Sequence, residues 1–292
     1  MSTLRRVSSF LSLVKFSHTV FALPFALLGF FLATLADGVV SGRKLLLVIA
    51  CMVFARSAAM GFNRYLDRDI DGKNSRTAVR EIPAGTISAR AALLFVILNG
   101  AAFVGAAALL NPLCLALSPV ALLVILGYSY TKRFTYLCHF VLGLGLALAP
   151  VGAYLAVTAH WALLPLLYGL VVLLWVAGFD IIYALQDEEF DRGEALYSIP
   201  VQLGTVNALR LGRLLHLCCA AVLTYALYLQ LQLYPEFGWL TVVGGVLFLC
   251  LLAYQHSLVR PGDLSRVDLA FFTTNGVASV AFGVISILDI YV

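Results

Sequence analysis

Charge is what this sequence has least of. Only 12% of its 292 residues are Asp, Glu, Lys or Arg, about half the share found in a soluble domain. Hydrophobic residues make up 62%, and the mean hydropathy is +0.98. Water-facing side chains are too few to cover such a chain, so lipid must surround most of it. No run alternates apolar and polar residues in the manner of a membrane β-strand, which excludes a barrel. The six cysteines, Cys51, Cys114, Cys138, Cys218, Cys219 and Cys250, include no CxxC pair and sit in or beside apolar runs. They read as small packing residues, with neither a zinc site nor a disulfide framework. No basic stripe interleaved with aromatics appears, so the net charge of +4 does not point to nucleic acid. The first residues, MSTLRRVSSFLSLVK, lack a small-residue cleavage site after a signal core and read as retained.

Apolar runs of about 20 residues, the length of a membrane helix, are what the chain does have. Nine are expected, near 16–36, 45–66, 91–110, 113–131, 137–157, 162–186, 211–232, 238–256 and 270–288. Asn111-Pro112 and Pro235 act as breakers between them. In lipid each span must satisfy its backbone internally, so the fold class is all-α integral membrane. The expectation is a single multi-pass domain over 1–292, with nine transmembrane helices bundled around a central cavity. Sixteen of the 19 Lys and Arg fall on one side of this arrangement. The positive-inside rule makes that side cytoplasmic, with the N-terminus inside and the C-terminus outside.

Two segments on that side break the apolar background. One is NRYLDRDIDGKNSRT from Asn63, and the other is DIIYALQDEEFDR from Asp180. Asn63, Asp67 and Asp71 stand at i, i+4 and i+8, one above another on a helical face. Arg56 lies seven residues earlier on that face, deeper in the membrane. Asp187 and Asp191 repeat the i, i+4 spacing, with Asp180 seven residues deeper. Like charges at this spacing repel. Columns of carboxylate oxygen at wet helix ends suit Mg²⁺, usually shared with substrate phosphates. A weak repeat links the two units: each Asp-x3-Asp is followed by Ile-Pro and then Gly, at Ile82-Pro83-x-Gly85 and Ile199-Pro200-x3-Gly204. That is the pattern of a duplicated bundle whose halves face a shared site.

These residues resemble the UbiA family of prenyltransferases, whose signatures are Asn-x3-Asp-x3-Asp and Asp-x3-Asp. The stretches NRYLDRDIDGKNSRTAVREIPAG and DIIYALQDEEFDRGEALYSIPVQLG are similar to the branch that prenylates 4-hydroxybenzoate. Tyr128 and Lys132 match its Tyr-x3-Lys element. In the first span His18 stands where the family has proline, a variant closer to members acting in menaquinone synthesis, including the futalosine route with its carboxylated naphthoquinol precursor. The resemblance implies Mg²⁺-dependent transfer of a polyprenyl group from a diphosphate to an aromatic acid, in the cell (inner) membrane, with catalytic carboxylates Asp67, Asp71, Asp187 and Asp191. Asn63, Asp67 and Asp71 would hold one ion, and Asp187 and Asp191 the other. Lys132 and Arg192 would meet the diphosphate. Arg56 would pair either with the acceptor carboxylate or with the carboxylate ladders. Tyr128 would line the site or anchor at the interface, and Asp180 would hold the acceptor or orient a basic neighbour. Nothing in the sequence predicts a protein partner.

A transporter is the rival reading from another class. It would keep its ionisable residues near the bilayer midplane, where only Arg56 and Asp180 approach. The charge bias gives a direct test of topology. A reporter fused after Val292 should be found outside the cytoplasm and one inserted near Ser75 inside; the opposite pair of locations would overturn the orientation.

Overall fold

The computed structural model describes Leu13 and residues 21–292; the start of the first expected span, with Lys15 and His18, lies outside the described residues. Among those described, every extended element is a helix. The order is α1 (Leu23–Asp37), α2 (Gly42–Lys73), α3 (Ala89–Leu110), α4 (Pro112–Thr131), α5 (Cys138–Thr158), α6 (Leu163–Ala184), the short α7 (Glu188–Gly193), α8 (Ile199–Leu233), α9 (Trp239–Leu258), a π-helical turn (Leu269–Thr274) and α10 (Asn275–Asp289). Eight segments are long and apolar enough to cross a bilayer. With α1 they account for the nine expected spans.

Local chemistry sets the boundaries. Ser41, Ser88, Asn111 and Ser198 each accept a hydrogen bond from a backbone N–H in the first turn of α2, α3, α4 and α8, satisfying donors that a helix start leaves free. Gly38 ends α1 in the left-handed region at φ 73°, where a residue without Cβ is favoured. Two helices run well past the hydropathy limits. α2 continues to Lys73, and at 32 residues spans about 48 Å, more than a hydrocarbon core of about 30 Å. α8 begins at Ile199, twelve residues before its apolar run, and is broken at Gly204 (φ 75°, ψ 162°). Hydropathy marks where lipid ends, whereas hydrogen bonding carries the helix on into water.

α6 is the central column, packed between α5 and α8. α1 lies on α5 and closes against α10, while α2, α3 and α4 form the other flank. Trp175, Tyr168, Phe25, Phe248 and Phe282 are fully buried at the centre, with Phe25 and Trp175 ring centroids 5.7 Å apart. Their polar tips find partners: Trp175 Nε1 donates to Asn275 Oδ1 at 2.7 Å, and the Tyr168 hydroxyl donates to Gln230 Oε1. The outside is leucine-rich, with Leu46, Leu123 and Leu217 well exposed, as a lipid-facing surface requires.

Helices in lipid gain little from hydrophobic exclusion and associate through close packing at small residues. Gly143 of α5 meets the α6 backbone, so that a methyl there would stand 2.6 Å from the Leu173 carbonyl oxygen. Gly105, on α3, has nothing within 4 Å. Gly143→Ala should therefore cost about 1–3 kcal/mol through forced separation of α5 and α6, read as a thermal midpoint lowered by several degrees in detergent. Gly105→Ala should leave the midpoint unchanged or raise it, since Ala is the better helix former. Equal midpoints for the two variants would contradict this account of the α5–α6 contact.

Candidate active site

The last turns of α2, the end of α4, the start of α5 and the α6–α7 junction surround one cavity of about 200 Å³. Asn63, Asp67, Tyr128, Lys132, Asp180, Asp187 and Asp191 all line it. The two acidic segments, 120 residues apart in sequence, thus face a single space.

The α2 ladder is less wet than its position suggests. Asp67 is 2% exposed and Asp71 4%, where a helix end in water was expected. Buried carboxylates require partners, and cations supply them. Arg133 Nη2 stands 2.9 Å from Asp67 Oδ1, and Lys132 Nζ 3.4 Å from Asp67 Oδ2. Asn63 Nδ2 also donates to Asp67, at 3.0 Å. Asp71 lies behind the cavity lining, its Oδ1 2.6 Å from Arg80 Nη1; its Oδ2 is buried without a partner among the described residues.

On the opposite wall a 3₁₀ turn, Leu185–Asp187, bends the chain from α6 into α7. Asp187 is held by Arg76, through Nε at 3.1 Å and through Nη2, and by Asn74 Nδ2 at 3.2 Å. Burial works against the charge on Arg76, but the Asp187 carboxylate and the Tyr183 hydroxyl outweigh it and raise its pKa above the ordinary arginine value. Lys73, the last residue of α2, pairs with Glu194 just after α7 at 2.5 Å, so the end of α2 and the loop beyond it are tied to residues on either side of α7.

Besides Asp71, two of the expected residues do not line the cavity. Arg192 points outward, 61% exposed, and pairs with Glu188 at 2.9 Å. Arg56 does not line the cavity, and among the described residues it forms no ion pair with either ladder; its Nε is buried without a partner. The pairing of Arg56 with the carboxylates is therefore not formed. Arg76, Arg133 and His139 were not singled out from the sequence. Their partners lie 41 to 111 residues away, so no local spacing could announce them. The only signal was position: Arg133 and His139 stand at the borders of apolar spans, and Arg76 in the loop after the first ladder.

No three His, Cys, Asp or Glu side chains among the described residues converge to hold a metal unaided. Asn63, Asp67, Asp187 and Asp191 nevertheless bring oxygen donors to the cavity from its two acidic segments. That set fits Mg²⁺, which keeps waters and shares its shell with substrate phosphates rather than sitting in an all-protein cage.

The sequence model of the UbiA prenyltransferase family matches residues 22–277. The 4-hydroxybenzoate octaprenyltransferase of Aliivibrio salmonicida (strain LFI1238) is 31% identical over 288 residues, covering 97% of this chain and 98% of the relative. A protein of the same name from Edwardsiella ictaluri (strain 93-146) is 32% identical over 250 residues and 85% of each chain. Among solved structures, a UbiA homolog from Aeropyrum pernix K1 superposes with a TM-score of 0.82 at 33% identity, covering 93% of this chain and 98% of that one. A UbiA homolog from Archaeoglobus fulgidus, bound to DMAPP and Mg²⁺, shares the fold with a TM-score of 0.74 at 21% identity, over 97% and 99% of the two chains.

The placement of the arginines makes a prediction. Arg76 pairs with the cavity-lining Asp187 and Arg192 with Glu188, outside the lining, so Arg76→Ala should weaken binding of inorganic diphosphate with Mg²⁺ at least tenfold more than Arg192→Ala, loss of a charge-assisted contact being worth about 1.5–3 kcal/mol. Thermal stabilisation titrated with diphosphate measures this. A larger loss in Arg192→Ala would place Arg192 at the anion and reverse the ranking.

Proposed function

The chain belongs to the UbiA prenyltransferase family, and we propose that it transfers a polyprenyl group from its diphosphate to the ring of a carboxylated phenol, 4-hydroxybenzoate first, in respiratory quinone synthesis. The observation that carries this reading is the meeting of both carboxylate ladders on one cavity at the end of an apolar bundle. The cavity would open to the cytoplasm, and the acceptor and diphosphate would enter from that side.

The ladders are the natural place for the diphosphate. Asn63, Asp67 and Asp71 on α2, and Asp187 and Asp191 across the cavity, would hold Mg²⁺, which neutralises the diphosphate and makes it a better leaving group. Lys132 lies within 3.4 Å of Asp67 and Arg76 rests on Asp187, so each ladder already carries a cation that a bound diphosphate could share. Fixed charge aimed where negative charge develops is the main electrostatic contribution to rate. Deeper in the bundle the walls are apolar and aromatic. Tyr183 lines the cavity and stacks on Phe271 with centroids 4.0 Å apart, and Phe179 follows at 5.2 Å from Phe271. This surface shields an allylic cation from water until the ring attacks it.

Arg56 sits seven residues before Asn63, about 10 Å deeper along α2, and its hydrogen-bonding capacity is unfilled at Nε. It is the natural partner of the acceptor carboxylate. Tyr128 lines the same cavity, on α4.

Mass spectrometry of products tests the reading directly. Purified protein, one prenyl diphosphate and Mg²⁺ are given 4-hydroxybenzoate and, separately, a carboxylated naphthoquinol. Prenylated 4-hydroxybenzoate is expected, with turnover lost in EDTA. Product from the naphthoquinol alone would move the acceptor to the menaquinone branch, and full turnover without metal would sink the mechanism. A second assay addresses Arg56. Arg56→Ala should lose 4-hydroxybenzoate strongly, by 100-fold or so for a buried charge-assisted pair, yet treat phenol about as the wild type does. Equal losses for the two acceptors would instead assign Arg56 to the diphosphate end.

A further inference from the structure

Asp180 and His139 form a pair that the reading above does not use. Both line the cavity. His139 Nδ1 lies 2.7 Å from Asp180 Oδ2, and on its other side the backbone N–H of Ile199 donates to His139 Nε2 at 3.3 Å. The Ile199 N–H addresses Nε2, which orients the ring so that Nδ1 faces the carboxylate. The geometry thus fixes the position of Asp180.

This sets Asp180 apart from its neighbours. Asp67 is held by Lys132 and Arg133, and Asp187 by Arg76. A carboxylate clamped by cations is a poor base. Asp191 stands beside Asp187 at the mouth, on the ladder itself. Asp180 has no Lys or Arg within ion-pair distance among the described residues, and its Oδ1 has no hydrogen-bond partner among them. Its side chain is 21% exposed, on the cavity side. It lies seven residues before Asp187, roughly 10 Å deeper by helical rise, as Arg56 lies deeper than Asn63. One level of the site therefore holds the metal-binding oxygens. The next level along the helices holds Asp180, which lines the cavity with one carboxylate oxygen on His139, and Arg56, which lies behind that lining.

We propose that Asp180 is the general base that takes the phenolic proton of the acceptor, and that His139 is a positioning residue that holds it in place. This rests on the acceptor being a phenol. As the proton passes from the hydroxyl to Asp180 Oδ1, the O–H electron pair becomes the second bond of a ring carbonyl. The ortho carbon forms its bond to C1 of the prenyl group, and the C1–O bond breaks with its electron pair leaving on the diphosphate. The resulting dienone regains its aromatic ring when the ortho C–H proton passes to the diphosphate. Its electron pair returns to the ring, and Asp180 gives its proton back to the oxygen. Reactants and products then differ only by the exchange of the prenyl group and one proton.

The arrangement of His139 also explains its cost. A histidine buried at the start of α5 links α6, through Asp180, to the first turn of α8, through Ile199. Both contacts converge on the cavity wall, so a purely structural pin is the competing explanation. The two differ in what they predict for acceptors of different acidity.

The test uses the full-length protein, Mg²⁺ and one prenyl diphosphate, with 4-hydroxybenzoate and with its 3-fluoro analogue, whose hydroxyl is the more acidic. Asp180→Asn should lower kcat on 4-hydroxybenzoate by about 100-fold or more, the usual contribution of a general base, with KM changed little. Its deficit relative to wild type should shrink at least tenfold on the fluorinated acceptor, which needs the base less. His139→Ala should show a smaller loss with the same dependence on acceptor acidity. His139→Asn, which can keep a donor toward Asp180, should recover part of it. Deficits equal for both acceptors in Asp180→Asn overturn the base. A His139→Ala deficit indifferent to acidity, beside a sensitive Asp180→Asn, makes His139 a structural pin and overturns its positioning role. A wild type inactive on 4-hydroxybenzoate but active on a naphthoquinol overturns the acceptor reading, and the same comparison is then made with a fluorinated naphthoquinol. A wild type that prenylates no phenol overturns this inference with the reading it stands on.

Discussion

Carboxylates cannot face one another across a small cavity in an apolar bundle unless cations stand between them. That constraint organises the cavity end of this protein. Asp67 draws Arg133 and Lys132, Asp71 draws Arg80, and Asp187 draws Arg76. Each of these cations comes from a different segment than the main ladder it serves or from the loop beyond it. Neutralising the ladders therefore also assembles the site: Arg133 ties the end of α4 to α2, and Arg76 ties the α2–α3 loop to the α6–α7 junction, while Lys73 joins the end of α2 to Glu194 beyond α7. A diphosphate brought in with metal would enter a network already built to share negative charge.

The rest of the bundle has the opposite character. Its aromatic centre is close-packed, and polar tips there are satisfied internally, as with Trp175 and Asn275. The two acidic ladders lie at one end, with Asp180 and Arg56 seven residues deeper along their helices. The π-helical turn before α10 places Phe271 against Tyr183, which joins the aromatic centre to the cavity wall. A π turn offsets the helix by one residue and is a common device near functional sites.

Much of this was legible in the sequence because the signals were local. Apolar runs of membrane length gave the spans, and the i, i+4 spacing of Asn63, Asp67 and Asp71 placed three donors on one face. The pairing of Asp187 with Asp191 and the Tyr128–Lys132 spacing survive as cavity-lining residues. What was not legible is what depends on distant segments meeting. The burial of Asp67 follows from Arg133, whose approach is set by how α4 packs on α2. His139 looked like one more apolar-span histidine until α6 brought Asp180 beside it. The extension of α8 back to Ile199 was hidden because a helix in water carries no hydropathy signal. Arg192, adjacent to Asp191 in sequence, is turned outward by the short α7 and taken up by Glu188, which sequence proximity alone could not reveal.

The central claim is that the two ladders form one centre. A double-mutant cycle with Asp67→Asn and Asp187→Asn measures it. Asparagine keeps each side chain's size and spares the buried cations from facing a void. Each single variant is expected to lose about 100-fold or more in kcat, and the double variant should fall no more than about threefold below the worse single, because one disabled half already disables the shared centre. Losses that multiply in the double variant would mean two independent sites and would contradict the account.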